Sequence, residues 1–174
     1  MEEIKKLNFG CGHDIRENFD NIDIVKRDKR IKKTFDFNKF PYPLKDNTYD
    51  YILVSQVLEH LFEPNKVLME LWRISNPGAI IEIGVPYYSN KASYSDMEHK
   101  IHFSSTAFEK LDKRFWEKNY FPGWESEKYY FSVELLELKP TQFGRLMPKS
   151  LREKLSLFIS GLINGIHVKL KVLK

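Results

Sequence analysis

The chain has 174 residues, 42% hydrophobic and 30% charged, a length that fits a single domain, 1–174, with a core of its own. No stretch approaches the roughly 20 apolar residues of a membrane-spanning helix, and the start MEEIKKLNFG has no signal-peptide core, so neither insertion nor export is expected. The one cysteine, Cys11, excludes an internal disulfide and a cysteine-based zinc cluster and favours a reducing, cytoplasmic compartment.

The net charge of +4 is concentrated at the C-terminal end. Residues 145–174 hold seven Lys/Arg and one Glu, a sum of +6, so residues 1–144 carry −2 (4 minus 6). A nucleic acid or an anionic membrane would suit such a region, but a solvated face explains it equally simply. We expect no nucleic-acid partner, and a weak membrane contact stays open.

The N-terminal half predicts four strands and one helix. Strands are expected where Ile4, Leu7 and Phe9 lead into Gly-Cys-Gly, over 19–25, over 31–37 and over the nearly continuous apolar run 49–55. Pro64 suits the first turn of a helix. That helix has the apolar stripe Val67, Leu68, Leu71 and Trp72, and Asn-Pro-Gly at 76–78 ends it.

The second half predicts three more strands, over 79–86, 129–138 and 166–174. Thr106 with Glu109 forms a capping box that predicts a helix through Phe115. A second, amphipathic helix is predicted from the spacing of Leu151, Leu155, Phe158, Ile159 and Leu162, and its apolar face is expected to pack on the sheet. Strands alternating with helices predict a parallel α/β sheet, and the alternating last two strands suit an antiparallel edge pair, with Lys169 and Lys171 guarding the edge.

The glycines of LNFGCG follow the first strand directly. Ligands of open α/β sheets bind beyond the carboxyl ends of the strands, where glycine lets the backbone approach closely. Asp23, at the end of the second strand, is the candidate acceptor for two ribose hydroxyls. A dinucleotide fingerprint is excluded because position 15 is Ile and Asp23 follows Gly12 by only 11 residues, and no P-loop motif is present. Alone, these glycines fit a plain tight turn equally well.

Further segments make the chain resemble the class I S-adenosylmethionine-dependent methyltransferases, in particular the small type 11-like group. The matching stretches are LNFGCG, NIDI, FDFNKFPYPLKDNTYDYILVSQVLEHLFEP, ELWRISNPGAIIEIGVPYY and HKIHFSSTAF. They cover about residues 4–110 in the family's order. The resemblance implies a Rossmann-like, seven-stranded, mostly parallel sheet and S-adenosyl-L-methionine as the cofactor.

The resemblance also implies roles for individual residues. Gly10, Cys11 and Gly12 would contact the methionine part, Asp23 the ribose, Ile24 the adenine, and Asp36 and Phe37 its edge. The remaining cofactor-binding candidates are Asn8, Phe9, Ser55, Gln56, Val57 and His60. Asn8 stands where the family usually has an acid, and only nine residues separate Gly12 from Ile22, so the first helix is expected to be shortened or absent.

The segment 87–131 follows the fifth strand, where the fold would place a lid or insert over the pocket. It holds 13 of the 25 aromatic residues, which could bind an acceptor or form the core of a small subdomain. Tyr87 and Tyr88 are substrate candidates. His99 and His102 are candidates both for contacting substrate and for the general base, although each could simply pin the loop. No metal is expected, because Glu98, His99 and His102 lack the spacing of a ligand set.

The sequence therefore predicts a methyltransferase that transfers a methyl group to an oxygen or nitrogen of a small-molecule acceptor. Two alternatives remain. One is a non-catalytic binding module that keeps the fold, suggested by Asn8 and the missing helix. The other is a peripheral membrane or RNA-surface protein that uses the basic region 145–174.

Overall fold

The computed structural model describes residues 4–119 and 130–174. Its strands are β1 (Lys6–Phe9), β2 (Asp20–Asp23), β3 (Ile31–Thr34), β4 (Tyr49–Ser55), β5 (Ser75–Pro86), β6 (Phe131–Pro140) and β7 (Ile163–Val172). Its helices are α1 (Pro64–Ile74), α2 (Lys91–Ser95), α3 (Ser105–Glu109), α4 (Lys113–Asn119) and α5 (Lys149–Leu155), with 3₁₀ turns at Leu58–His60 and Gly144–Leu146. The Pro-Gly turn at 122–123 and the aromatics of 120–129 lie outside these residues.

The strands form one sheet in the order β3-β2-β1-β4-β5-β7-β6. β7 runs antiparallel to both β5 and β6, and every other neighbouring pair is parallel. The predicted α/β class and the mostly parallel seven-stranded sheet with an antiparallel pair are confirmed. β1 pairs in parallel with both β2 and β4, so the carboxyl ends of these three strands lie at one edge of the sheet.

The connection between β1 and β2, residues 10–19, contains no α-helix in this fully described stretch, as the short spacing predicts. Buried side-chain amides hold it instead. Asn8 Nδ2 donates to the Asp14 carbonyl (2.6 Å) and to Asn21 Oδ1 (3.0 Å), and the same oxygen accepts from Arg16 N (3.0 Å). The buried side chain of Asn8 therefore fixes the connection through its hydrogen bonds, which explains why an amide can stand at this position.

The core lies between the sheet and α1. α1 buries Val67, Leu68 and Leu71 of the predicted stripe, and it also buries Ile74, whereas Trp72 is half-buried. Ser75 ends the helix. Each such side chain contributes roughly 1.5–3 kcal/mol of transfer free energy. β5 begins at Ser75, earlier than predicted, and runs through the Asn-Pro-Gly segment.

The helix predicted from Thr106 through Phe115 is divided in two. α3 has Ser104, not Thr106, at its N-cap position, and neither the predicted capping box nor a side-chain cap forms. Asp112 interrupts the helix because its carboxylate is bound to strand β6: it accepts from Val133 N (2.7 Å) and also binds Arg114.

The predicted placement of Lys169 on an edge strand is wrong, because β7 lies between β5 and β6 and the edge strand is β6. Lys169 instead pairs with Glu82 of β5 (2.9 Å), which also binds His167 (2.8 Å) and Tyr51 (2.7 Å). Burial alone would raise the pKa of Glu82, but the hydrogen bonds from these three side chains lower it to about 2.

The predicted packing of the C-terminal amphipathic helix on the sheet is also wrong in part. α5 ends at Leu155, and the apolar residues after it point outwards: Leu157 is 63% exposed and Phe158 86%. Only Leu162 of the predicted stripe is fully buried. Within the described ranges, no helix combines the length and the apolar character that crossing a membrane requires.

Candidate functional site

The chain bends sharply where β1 ends. Gly10 (φ +71°) and Gly12 (φ +51°) both adopt the left-handed region that favours glycine. A Cβ on Gly10 would lie 2.5 Å from Val57 Cγ2, whereas a Cβ on Gly12 would meet no atom of the described residues within 4 Å. Gly10 is therefore required by packing against the residue that follows β4, and Gly12 borders open space.

Asp23 brings its carboxylate to this bend from the end of β2. Its Oδ2 accepts from Gly12 N at 2.7 Å and its Oδ1 from Val25 N at 3.2 Å, while Arg27 lies 3.9 Å away. The residue is 5% exposed. A carboxylate can accept about four hydrogen bonds, so these two amides leave capacity for a pair of hydroxyl donors.

The bend itself has little free donor capacity. Gly10 N and Cys11 N both donate to the Ile22 carbonyl at 3.0 Å, and Asp14 N donates to the Cys11 carbonyl at 2.8 Å. These backbone N–H groups are therefore used within the chain, whereas the N–H groups of a helix N-terminus would have pointed towards a bound anion. A ligand at this bend would thus be held through the acceptor oxygens of Asp23 more than through backbone donors.

Three exposed residues surround the open side of the bend. Ile24, 57% exposed, follows Asp23 and offers an apolar surface, and Ser55 and Gln56 are exposed at the end of β4. Gln56 has φ +55°, and its backbone N–H and its side-chain amide both donate to the Gly84 carbonyl. The strained turn at Gln56 is therefore fixed to β5.

Several residues predicted to bind the cofactor have side chains in the core. Phe9 stacks on Phe37 with ring centroids 4.0 Å apart, and both are buried, as are Val57 and Asn8. Their side chains therefore support the bend by packing in the core. Asp36, by contrast, is exposed and accepts from Asn38 N (2.9 Å).

Cys11 lies in the middle of the bend with a buried side chain. Burial raises the pKa of its thiol to about 11, and the neighbouring carboxylate of Asp23 adds to the effect. The thiol is therefore protonated at neutral pH and unsuited to act as a nucleophile.

The segment after β5 places its two histidines differently. His102 is exposed, stacks on Tyr94 (4.1 Å between centroids), and its Nδ1 lies 2.8 Å from Ser93 Oγ. The His99 side chain is 7% exposed, and its Nδ1 lies 2.9 Å from the Ser93 carbonyl oxygen. Tyr87 is buried and packs against the half-buried Tyr88 (4.7 Å).

Two residues of the 3₁₀ turn after β4, Glu59 and His60, lie close to His99 in the structure, although they are far from it in the sequence. Glu59 is 1% exposed, and ligand atoms of Glu59, His60 and His99 all lie within 4.8 Å of one another. Burial raises the pKa of Glu59 to about 7. Of these three, sequence analysis identified the two histidines and missed Glu59, although its place in VLEHLFEP, among apolar neighbours, is the signal that could have indicated burial.

A cavity of about 610 Å³ lies on another part of the sheet, away from the bend. It is lined at the beginnings of β1, β2 and β3 by residues such as Lys6, Arg16, Phe19, Asn21 and Lys32. This is the side of the sheet where the connection 10–19 contains no helix, so the cavity follows from that short connection.

Comparison with known proteins agrees with the fold. Residues 7–83 match the family model described as a methyltransferase domain. A SAM-dependent methyltransferase from Archaeoglobus fulgidus aligns with a TM-score of 0.62 at 15% identity, over 98% of this chain and 86% of that one. One from Mesorhizobium loti gives 0.60 at 12%, over 97% and 91%. The [4+2]-cyclase SpnF gives 0.59 at 14%, over 98% and 74%. No curated protein sequence matches the chain.

The fold and the bend thus define a class I methyltransferase-like protein. The domain match confirms the resemblance seen in the sequence: residues 7–83 carry a methyltransferase domain, and the solved structures share its fold. S-adenosylmethionine is the methyl donor that this domain implies.

Proposed function

We propose that the protein transfers the methyl group of S-adenosylmethionine to an oxygen or nitrogen of a small-molecule acceptor in the cytoplasm. The observation that supports it most is the 2.7 Å contact between Asp23 Oδ2 and Gly12 N, at the point where the order of strands reverses. Ligands of open α/β sheets bind at such reversals.

The residues at this edge suit the parts of the cofactor. Asp23 would accept hydrogen bonds from the two ribose hydroxyls, and the exposed Ile24 would contact the adenine. The open space beside Gly12 would take the methionine part, with Ser55 and Gln56 nearby. When bound, the cofactor supplies a sulfonium methyl group that an aligned nucleophile can displace.

The chain's own contribution to the transfer would be mainly positioning, which can supply several kcal/mol. An acceptor hydroxyl would also need to lose a proton. His102 is the more accessible of the two candidate bases. With Nδ1–H donating to Ser93 Oγ, its Nε2 would take the proton.

The test is calorimetric titration of the protein with S-adenosylhomocysteine, comparing Asp23→Asn with Asp28→Asn. Asparagine at 23 can still accept from Gly12 N but carries no charge, so binding is expected to weaken by about 10–100-fold, the value of hydrogen bonds to a charged acceptor. Asp28 pairs with Arg30 (2.8 Å) on the surface, so its variant should bind normally. Unchanged affinity in Asp23→Asn would contradict the assignment.

A second surface has its own support, and we propose that the region around α5 contacts an anionic membrane. Leu146 (80%), Leu157 (63%) and Phe158 (86%) are exposed beside Arg145, Lys149 and Lys154. Exposed apolar side chains flanked by cations are typical of segments that lie on a membrane surface.

Liposome co-sedimentation tests this second proposal. Vesicles with phosphatidylglycerol should bind the protein, and neutral vesicles should bind it weakly. Phe158→Asp and Lys149→Glu should reduce binding, whereas Phe62→Asp, at a 67% exposed site elsewhere, should not. Arg152 is unsuitable for charge reversal because it is buried and donates to the Gly144 carbonyl. Equal binding by all variants, or binding to RNA in place of vesicles, would overturn the proposal.

A further inference from the structure

The buried carboxylate of Glu59 is unusual in lacking partners. Both of its oxygens are inaccessible to solvent, and neither has a hydrogen-bond partner among the residues that the structure describes. Leaving a buried polar group unsatisfied costs about 1–3 kcal/mol, more for a charge. Buried polar groups of native proteins almost always have a partner, and a bound ion is one of the few remaining explanations.

Two imidazoles face this carboxylate. His60 is the next residue in the 3₁₀ turn, and its ring lies edge-on to that of His99 with centroids 4.7 Å apart. The ligand atoms of the three residues lie within 4.8 Å of one another. A tetrahedral cation with bonds of about 2.0–2.2 Å holds its ligands roughly 3.3–3.6 Å apart, so small side-chain rotations would close the group.

Backbone contacts hold the two halves of the group together. The carbonyl oxygen of Glu59 accepts from Lys100 N (2.7 Å) and Ile101 N (3.2 Å), which fixes the turn against the segment that carries His99. The position of the ligands therefore follows from the backbone and does not depend on the side chains attracting one another.

The orientation of His99 is also that of a metal ligand. A carbonyl oxygen only accepts, so the contact with Ser93 assigns the ring proton to Nδ1 and leaves the lone pair on Nε2. Metal-binding histidines almost always donate their other N–H in this way, to a carbonyl or a carboxylate. Asp96, half-exposed, approaches Nε2 to 3.9 Å and is the one further acid near this atom in the described part of the chain.

We propose that Glu59, His60 and His99 bind a divalent cation of the Zn²⁺ type. Two imidazole nitrogens and one carboxylate are a ligand set of zinc sites, and three protein ligands leave one coordination position open. The site would lie two residues beyond Val57, which packs on Gly10, and so next to the candidate cofactor site. This proposal can be tested separately from methyl transfer, because the experiment measures metal binding alone.

The experiment is titration of the metal-free full chain with Zn²⁺ by calorimetry in the presence of a competing chelator. The expected result is one Zn²⁺ per chain, with affinity lowered at least about 10–100-fold in Glu59→Gln and His99→Gln. His102→Gln, in the same segment but outside the group, should bind as the unmodified protein does. Co²⁺ in place of Zn²⁺ should give the visible bands of a four-coordinate site, and His99→Gln should abolish them.

Circular dichroism checks that each variant folds. If Glu59→Gln does not fold, His60→Gln and His99→Gln carry the test. Absence of saturable Zn²⁺ binding overturns the proposal, and so does an affinity unchanged by substitution of His60 or His99.

Discussion

Replacing Gly10 by alanine should destabilise the protein by two separable effects. The first is backbone strain, since φ +71° costs a residue with a Cβ about 1–2 kcal/mol. The second is steric: the added Cβ would lie 2.5 Å from Val57 Cγ2 and 3.1 Å from Cγ1, about 1 Å inside an ordinary contact. Overpacking of this kind costs about 1–3 kcal/mol, so the expected total is about 2–5 kcal/mol.

Gly12→Ala is the matched control, because its φ of +51° imposes the strain while no atom in the described part of the chain lies within 4 Å of the new Cβ. Urea unfolding should therefore show a loss of about 1–2 kcal/mol for Gly12→Ala. Val57→Ala removes the methyl groups that clash, so the double variant with Gly10→Ala should be more stable than the sum of the single losses by about 1–3 kcal/mol. Equal losses in both glycine variants, with no coupling to Val57, would refute this account of the bend.

Three further predictions concern groups whose environment the structure defines. The charged form of Glu82 stabilises the fold above its unfolded pKa of about 4.3, and this stability is lost as the pH falls towards its folded pKa of about 2. The unfolding free energy should thus fall about 1–2 kcal/mol more between pH 6 and pH 2.5 than it does in Glu82→Gln, after allowing for solvent screening; parallel profiles would contradict this. Because the thiol of Cys11 has its pKa raised to about 11, iodoacetamide at pH 8 should modify the folded protein far more slowly than the urea-unfolded one, and equal rates would exclude the buried, protonated thiol. Asn21→Ala removes the acceptor that joins Asn8 to Arg16 and should cost about 1–3 kcal/mol in urea unfolding, whereas Asn65→Ala, at an exposed position on α1, should cost little.

The sequence was sufficient to predict the sheet because its evidence is local. Continuous apolar runs predict the strands, and their alternation with helices predicts a parallel sheet. The short spacing from Gly12 to Ile22 leaves no room for a helix. The apolar stripe of α1 is also visible without knowledge of tertiary contacts, although the helix ends at Ile74 and β5 already includes the Asn-Pro-Gly segment that is predicted to end it.

The predictions are wrong where contacts between distant parts of the sequence determine the position of a residue. Lys169 was assigned to an edge because the pattern of β7 cannot reveal that β6 would pair on its far side. Phe158 belongs to an apolar stripe, but whether such a stripe packs on the sheet depends on where α5 ends. Thr106 has the spacing of a capping residue, although Ser104 occupies that position.

The candidate site shows the same division. The position of Asp23 could be predicted because it ends β2, the strand that directly follows β1 and the glycine bend in the chain. The group formed by Glu59, His60 and His99 could not, because 38 residues lie between His60 and His99. The backbone bonds from Lys100 and Ile101 bring the two segments together.

The most direct test of the account is calorimetric titration of the unmodified full chain with S-adenosylmethionine and S-adenosylhomocysteine. The account predicts that one molecule of either ligand binds per chain, with a dissociation constant in the micromolar range or tighter. No binding at millimolar ligand would contradict it and would leave the protein as a module that keeps the fold without using the cofactor.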